Sequence, residues 1–317
     1  MIEVKNLSKN YGDVAAVKSI NFSVKDREII GFLGPNGAGK STTIKVITGF
    51  LAPSAGDVVV NGMDIKTNQL DIQKEIGYLP ELNPLYTDML VYDMLEYVAG
   101  VRDIHGRAFK DAFARVIDQC GLSGVVHKRI DQCSKGYKQR IGLACAMIHD
   151  PKILILDEPV TGLDPNQIVE IRSLIKKLGR EKLVLMSSHI LQEIQATVDR
   201  IIIIDKGKIV ADGTSEELIS SAQGVKQLHL EIKNAEEDSI EDMKATIPQV
   251  NIKSIKKDEN RYNINLEYKS STDPREDIFN HAVSQSWVIT EMRVSEKNLE
   301  DIFRNLTNTS DEGAPNE

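Results

Sequence analysis

A glycine-rich segment at residues 34–42 carries the residue types that bind phosphate. It matches the spacing G-x-x-x-x-G-K-[ST], follows the apolar run 29–33 and precedes a helix-like pattern. Glycines in such a turn allow successive backbone N–H groups and the N-terminus of the next helix to point at one anion. A ligand-free turn could match the spacing by chance, but the flanking strand and helix patterns favour a nucleotide site made of Gly34, Pro35, Asn36, Gly37, Ala38, Gly39, Lys40, Ser41 and Thr42.

Two of these side chains have distinct expected roles. The Lys40 ammonium should reach the β- and γ-phosphates of a nucleoside triphosphate, and the Ser41 hydroxyl should coordinate Mg²⁺. The predicted ligands are therefore a nucleoside triphosphate and Mg²⁺.

A second chemical element is the apolar run 153–156, which ends in Asp157 and Glu158. A strand buried on both faces has no reason to end in paired carboxylates unless they face a site at its carboxyl edge. We expect Asp157 to hold the Mg²⁺ shell and Glu158 to act as general base for the attacking water. An acidic surface turn is the alternative, and the position downstream of the phosphate-binding segment favours the site.

The patterns around these residues predict an α/β fold. Strand-like runs at 3–7, 20–24 and 57–60 are expected to form a sheet beside the phosphate-binding segment. From 82 to 149 apolar residues recur at three- and four-residue spacings, which predicts an inserted helical subdomain. Strands and helices then alternate, as in a mostly parallel sheet, through 153–156, 168–178, 183–187 and 201–204.

We therefore expect residues 1–224 to form one nucleotide-binding domain, followed by a small α+β domain at 225–308. The small domain has the β-α-β-β-α-β order of ferredoxin-like domains, with elements at 227–232, 239–247, 250–256, 261–267, 274–284 and 288–294. A short amphipathic segment at 299–306 should pack its apolar face, and the tail at 309–317 is predicted to be disordered.

Charge and cysteine content exclude several classes of protein. The chain carries 39 basic and 47 acidic side chains, of which 12 and 19 follow residue 224, so it lacks the basic stripe that nucleic acid requires. Three cysteines without C-x-x-C spacing, and no signal-peptide pattern, predict reduced thiols in a protein that is not exported. The apolar runs are far shorter than the ~20 residues that span a bilayer, so any membrane link is expected through a partner.

Between the helical region and the acidic strand lies a segment that resembles the signature L-S-G-G-Q, Cys133-Ser134-Lys135-Gly136-Tyr137-Lys138-Gln139-Arg140. With the two elements above, it makes residues 2–213 resemble an ATP-binding-cassette (ABC) ATPase. The resemblance implies a P-loop NTPase fold of the ABC cassette type with an inserted helical subdomain, and hydrolysis of ATP to ADP and phosphate.

Further site roles follow from this resemblance. Ser134 and Gly136 would contact the γ-phosphate of an ATP held by a second, facing cassette, which implies a homodimer. Asp164 lies in the loop that would cross the dimer interface, His189 would be the switch histidine, and Tyr11 would stack on adenine. A single histidine or tyrosine is more often structural, but the shared order of these residues favours a site.

Two parts of the pattern depart from the family. Glu81 stands where glutamine is usual, and Lys135 and Tyr137 replace a glycine and a glutamine of the signature. A carboxylate at position 81 adds negative charge near Mg²⁺ and triphosphate, so we expect Glu81 to join the metal site, where it could tighten metal binding or make turnover more sensitive to pH. Hydrolysis is still expected, because the chain keeps Lys40, Asp157, Glu158 and His189.

These departures and the appended small domain resemble the ATP-binding subunits of bacterial exporters whose permease is a separate chain. That group includes drug and sodium exporters and the gliding-motility-associated ATPase. The resemblance implies that a groove near Glu81 to Tyr92 receives a coupling helix of a membrane permease. The expected location is therefore cytoplasmic, peripheral on the inner face of the cell membrane.

The alternative from another class is a soluble single-cassette ABC ATPase that drives a cytosolic machine. Translation-factor relatives usually carry two cassettes and a basic linker, and repair ATPases carry coiled coils or zinc-finger cysteines, which the sequence does not show. Cluster-assembly ATPases have one cassette, but the small domain fits them poorly. A ligand-sensing role for that domain is a third interpretation, based on analogy of fold.

Overall fold

The computed structural model describes residues 1–222, 225–258, 260–269, 272–295 and 299–308. Within these ranges the chain divides into two units, Met1–Ser215 and Glu216–Asn308. None of the helices in the described ranges has the length and apolar character that a membrane span requires. The predicted boundary at residue 224 and the predicted disordered tail at 309–317 lie outside the described residues.

The elements of the first unit follow one another along the chain. They are β1 Ile2–Tyr11, β2 Val14–Val24, β3 Ile29–Leu33, α1 Lys40–Ile47, β4 Ala55–Val60, β5 Met63–Asp64, α2 Gln69–Glu75, β6 Ile76–Leu79, α3 Val91–Val101, α4 Gly106–Cys120, α5 Lys135–Met147, β7 Ile153–Leu156, α6 Pro165–Gly179, β8 Leu183–Ser188, α7 Leu191–Gln195, β9 Arg200–Asp205 and β10 Lys208–Gly213.

The central sheet has the strand order β10-β9-β3-β8-β7-β6. Its strands run parallel from β9 to β6, and β10 is an antiparallel edge. Every residue of β3, β7 and β8 is buried, which explains why none of these strands contains a charged side chain. The predicted α/β fold is confirmed, and the carboxyl ends of β3, β7 and β8 meet at one edge of the sheet.

A smaller antiparallel sheet, in the order β2-β1-β4-β5, shares an apolar core with the central sheet. The helical region contains α3, α4 and α5, and its first helix begins at Val91, the first residue of the predicted helical spacing.

The second unit contains α8 Ser215–Ala222, which begins at the last residue of the first unit, and then β11 Val225–Lys233, α9 Glu237–Thr246, β12 Val250–Asp258, β13 Arg261–Lys269, α10 Arg275–Ser284, β14 Val288–Ser295 and α11 Leu299–Asn308. Its sheet is antiparallel in the order β12-β13-β11-β14. This confirms the predicted β-α-β-β-α-β arrangement. Along β13 alternate side chains are buried, so one face of the sheet covers the core of this unit.

Candidate functional site

The glycine-rich segment forms the turn between β3 and α1 and packs against β2 and β9. Gly39 has a φ of 107°, a left-handed conformation that favours glycine, and a Cβ there would lie 2.7 Å from the carbonyl oxygen of Ala16. A Cβ on Gly34 would collide with the carbonyl oxygen of Ile204. Because α1 begins at Lys40, the N–H groups of its first turn have no acceptors within the helix and can bind an anion.

Lys40 is buried at the start of α1. Its Nζ donates to the carbonyl oxygens of Gly34 at 2.8 Å and Pro35 at 3.3 Å. The same Nζ lies 3.5 Å from Oε1 of Glu158. A phosphate that enters the turn therefore meets a cation already held in place by the backbone.

Asp157 lies just beyond β7, between two hydroxyl groups. Its Oδ1 accepts hydrogen bonds from Ser187 Oγ at 2.6 Å and from Ser41 Oγ at 3.3 Å. The Asp157 N–H donates to the carbonyl oxygen of Leu79 at 2.8 Å, which fixes the backbone. Two of the three residues predicted to bind the metal, Ser41 and Asp157, are thus brought together as a pair of oxygen ligands.

The Glu158 side chain is fixed by three neighbours. Its Oε2 accepts from Thr161 Oγ1 at 3.0 Å and lies 2.9 Å from Nδ1 of His189, while Oε1 faces Lys40. The Glu158 N–H donates to Ser187 Oγ at 2.9 Å. The backbone φ is 52°, a strained value for a residue with a Cβ and one that recurs at functional sites. The predicted base and the predicted switch histidine are therefore in direct contact.

These groups line one cavity of about 560 Å³, a volume within the range of small-molecule sites. Most of the predicted site residues face it: Asn36, Gly37, Gly39, Lys40, Ser41, Thr42, Glu81, Glu158 and His189, with Ala16 and Thr161. Gly34, Pro35, Ala38 and Asp157 lie outside this lining set. Three of them contact lining residues, since Gly34 and Pro35 accept hydrogen bonds from Lys40, and Asp157 accepts one from Ser41.

The charge at this edge of the sheet is predominantly negative. Burial, followed by the nearby carboxylates of Asp157 and Glu81, raises the pKa of the Tyr78 hydroxyl above its usual value. Lys40 is the cation of the cavity lining, whereas Glu81, Asp157 and Glu158 supply carboxylates at or next to it. A polyanionic ligand would therefore need additional positive charge to bind here.

Tyr11 lies apart from this group. It ends β1, its side chain is exposed, and Lys9 Nζ lies 5.6 Å from the centre of its ring. The ring is not among the side chains that line the cavity. The role of Tyr11 in binding adenine stays a prediction.

Ser134, Gly136 and Asp164 are brought together at a second cavity, of about 420 Å³, where α5 and α6 begin. The Tyr137 N–H donates to Ser134 Oγ at 3.3 Å, and the Gln167 N–H donates to Asp164 Oδ1 at 2.9 Å. Ser134 therefore caps the N-terminus of α5, and Asp164 caps that of α6. A Cβ on Gly136 would lie 2.7 Å from Cδ of Gln167, which explains the need for glycine at this helix contact.

The two cavities have no lining residue in common, but one short segment serves both. Residues 158–164, termed the linking loop, place Glu158 and Thr161 in the first cavity and Asp164 in the second. Backbone hydrogen bonds from Thr161 N to Glu158 O and from Leu163 N to Val160 O, both 3.2 Å, fold the loop into consecutive turns.

Sequence reasoning missed the direct roles of Ser187 and Thr161. Ser187 binds both Asp157 and the backbone of Glu158, and Thr161 binds the Glu158 carboxylate. The signal for Ser187 is its position near the end of a buried strand that neighbours the acidic strand. The pairing of β7 with β8 in register, Leu156 beside Met186, places the next residues of both strands side by side.

Comparison with known proteins identifies the family of the chain. The sequence pattern of the family described as "ABC transporter" matches residues 17–161. The chain is 34% identical to the Bacillus subtilis protein named "Uncharacterized ABC transporter ATP-binding protein YhcH", over 98% of this chain and 97% of that one. It is 32% identical to the B. subtilis "Linearmycin resistance ATP-binding protein LnrL", over 97% and 98% of the two chains.

Another relative is longer than this chain. The Escherichia coli "Probable multidrug ABC transporter ATP-binding protein YbhF" is 39% identical over 69% of this chain, but the match spans only 38% of YbhF.

Solved structures share the fold of about two thirds of the chain. A "Structure of ATP binding subunit of ABC transporter" superposes with a TM-score of 0.63 at 28% identity, over 70% of this chain and 93% of that one. A "Dimeric Structure of MJ0796, a Bacterial ABC Transporter Cassette" gives a TM-score of 0.60 at 26% identity, over 68% and 98%. From its motifs, its site and these near full-length relatives, the chain belongs to the ATP-binding proteins of ABC transporters.

Proposed function

We propose that this chain is the ATP-hydrolysing subunit of an ABC transporter and powers a separate membrane permease, in the direction of export. The observation that carries the proposal is the Glu158 carboxylate, held by His189 and Thr161 next to a buried lysine on a phosphate-binding turn. Export is supported by the names of two relatives, since LnrL is named for linearmycin resistance and YbhF as a probable multidrug ABC transporter protein.

The residues of the site have separate roles in the hydrolysis of ATP. Lys40 and the first N–H groups of α1 bind and orient the phosphates, which is most of what phosphoryl transfer demands of a protein. Glu158 accepts the proton of the attacking water at Oε1, because Oε2 is already bonded to Thr161 and His189. His189 keeps the carboxylate in one orientation.

The site fits Mg²⁺ as the cofactor that accompanies ATP. Mg²⁺ in nucleotide sites is bound through one or two protein oxygens plus the phosphates, and Asp157 and Ser41 offer such a pair, with Oδ1 and Oγ 3.3 Å apart. When bound, the ion would neutralise charge on the phosphates at an edge of the sheet that is rich in carboxylates. Glu81, at the rim of the same cavity, would be a further ligand for the ion.

A second copy of the chain would complete each nucleotide site. The signature residues Ser134 and Gly136 line a different cavity from the phosphate-binding turn, so one chain does not offer both sets to one ATP. Two copies facing each other in opposite directions would do so. The dimeric cassette among the similar solved structures supports this arrangement.

An exposed apolar surface supports a protein partner for the helical region. A cavity of about 390 Å³, termed the aromatic groove, is lined by Phe50, Tyr78, Tyr86 and Tyr97 among others, and Asn83 to Tyr86 of the predicted docking segment contribute to it. Nearby, Leu82 is 86% exposed. Exposed apolar groups of this kind mark interaction sites. A permease seated in this groove would hold the chain at the inner face of the membrane.

The domain limits belong to the same proposal. Residues 1–224 would form the nucleotide-binding domain, with a helical subdomain at about 82–149. Residues 225–308 would form an accessory ferredoxin-like domain that strengthens the dimer or docks the permease.

The test is to tag the chain in its native cell in the Glu158→Gln background, solubilise membranes gently with ATP present, and identify what is recovered in equal amount. A multi-spanning protein without a cassette of its own, which also raises the ATP turnover of the wild-type chain on reconstitution, is the expected result. Recovery of a water-soluble partner, or of none, would instead favour an ATPase that drives a cytosolic machine.

A further inference from the structure

Two exposed charges of opposite sign, Glu81 and Lys135, lie at positions where the family pattern has neutral residues. In the ranges that the structure describes, neither side chain forms an ion pair within the chain. Charged side chains are mostly exposed in proteins, so what these two indicate depends on where they lie.

Glu81 lies at the rim of the cavity that contains the phosphate-binding turn. Lys40 is the lysine of the cavity lining, Glu81 and Glu158 are its carboxylates, and Asp157 lies next to it. A triphosphate brings further negative charge, of which one Mg²⁺ neutralises only part. The glutamine that is usual at position 81 would add nothing to this excess, whereas a glutamate adds to it and favours an additional cation nearby.

Lys135 presents its charge beside the second cavity. It lies between Ser134 and Gly136, which both line that cavity, but Lys135 itself lines neither cavity of its own chain. Its ammonium rests on the linking loop, since a Cβ on Gly162 would collide with Nζ of Lys135. A lysine side chain is flexible and carries three donors, so Nζ can leave this position for an acceptor on a facing molecule.

We propose that, in the ATP-bound dimer, Lys135 of each copy forms an ion pair with Glu81 of the other. The inference rests on the proposed function, in which Ser134 and Gly136 contact the ATP of the facing copy, because the residue between them then lies at the cavity that Glu81 lines. A carboxylate has two oxygens, so one oxygen of Glu81 can accept from the ammonium while the other binds Mg²⁺.

The pair explains why both departures occur in one chain. A glutamate alone would repel the triphosphate, and a lysine alone would place an unpaired ammonium at the interface. Together they compensate each other only when two copies meet with ATP between them. Lys135 is then a specificity-determining residue of the dimer, because it favours a facing copy with a carboxylate at position 81 over a cassette with the usual glutamine.

The first arm of the test measures proximity by disulfide cross-linking. One chain carries Glu81→Cys, a second chain with a different tag carries Lys135→Cys, and both carry Glu158→Gln so that ATP is retained. In the mixed dimer the two new cysteines face each other, while the other Lys135–Glu81 pair stays intact. Oxidation with ATP and Mg²⁺ should join the two tags, with little competition from the native thiols, which are buried or half-buried. Lys110→Cys, at an exposed position on α4, replaces Lys135→Cys in the control and should give no product.

The second arm measures the charge pair as the ATP-induced dimerisation constant of the full-length chain, by sedimentation in the Glu158→Gln background. Lys135→Met should weaken dimerisation about 100-fold, because a close charge pair across an interface contributes about tenfold or more and a symmetric dimer holds two such pairs. In a chain that also carries Glu81→Gln, the same Lys135→Met should cost about threefold or less. Lys110→Met is the matched control and should dimerise as the parent chain does.

Each other outcome decides against the pair. An equal cost of Lys135→Met with glutamate and with glutamine at position 81 would show that the ammonium binds phosphate instead. Lys135→Arg keeps the charge, and circular dichroism shows whether it is folded; a folded Lys135→Arg chain that dimerises as poorly as Lys135→Met would also refute the pair. An ATP-bound dimer without the cross-link would refute the pair and leave the proposed function standing. If the parent chain does not dimerise with ATP, the proposed dimer and this inference both fail.

Discussion

The most direct test of the site is to neutralise Glu158 without changing its size. In Glu158→Gln the side-chain amide can still bond to Thr161 and His189, which lie 3.0 and 2.9 Å from the present Oε2. What the variant loses is the negative charge that accepts the water proton and that faces Lys40 at 3.5 Å.

The expected loss is large and falls on turnover. A positioned general base contributes roughly 10²–10⁴-fold to rate, so kcat for ATP hydrolysis should fall by that factor, or about 3–5 kcal/mol in activation free energy. Binding of ATP should not weaken, because Lys40 keeps its bonds to the carbonyl oxygens of Gly34 and Pro35 and loses a competing carboxylate. The variant should therefore accumulate the ATP-bound dimer.

The assay separates these two effects. Phosphate release by the purified chain gives kcat, binding of a fluorescent ATP analogue gives affinity, and light scattering with and without ATP gives the mass. Glu181→Gln, a substitution of an exposed carboxylate at the end of α6, is the matched control and should behave as wild type in all three measurements. A kcat for Glu158→Gln within threefold of wild type would refute the assignment of the base.

Three further predictions concern the same unit. Asp157→Asn should raise the Mg²⁺ concentration for half-maximal ATP turnover by about tenfold or more, because the charge of the ligands changes cation affinity by powers of ten. An unchanged Mg²⁺ requirement would contradict the proposal that Asp157 binds Mg²⁺ together with Ser41. Gly39→Ala should abolish ATP binding and cost about 1–3 kcal/mol of unfolding free energy, since φ is 107° and the new Cβ would press on the Ala16 carbonyl; Gly62→Ala, at a φ of 80° with open space around it, is the control that isolates the backbone strain. His149 has a folded-state pKa of about 4, below its unfolded value near 6.5, so the unfolded chain binds the proton first and stability is lost as pH falls through that window. His149→Gln should remove about 2 kcal/mol of the difference in urea-unfolding free energy between pH 7 and pH 5, and an unchanged difference would show that His149 is not the acid-sensitive group.

Much of this site could be predicted because its chemistry lies in contiguous residues. The phosphate-binding turn and the acidic end of β7 each combine a strand pattern with reactive side chains in a few positions, and the structure brings them together. The contacts between them could not be read in the same way. The bond from Ser187 to Asp157 joins residues 30 positions apart and depends on the register of two parallel strands.

The secondary structure missed by the sequence reading is short or lies at an edge. β6 has four residues and includes Gly77, where a Cβ would collide with the carbonyl oxygen of Ala146. Glycine is therefore required there by packing, although it is a poor strand former, and the sequence pattern of a strand is weak. β10 is a half-exposed edge strand whose apolar pattern is weak.

The linking loop at residues 158–164 has a consequence for how two copies would share their work. In the proposed dimer, its first residues would serve the chain's own ATP and its last residue would serve the ATP of the other copy. Because hydrogen-bonded turns span residues 158–163, next to Asp164, we expect a shift of Glu158 after phosphate leaves one site to move Asp164 at the other. The two sites would then hydrolyse ATP in alternation rather than independently. A dimer with one inactive site would therefore hydrolyse ATP at far less than half the rate of the wild-type dimer.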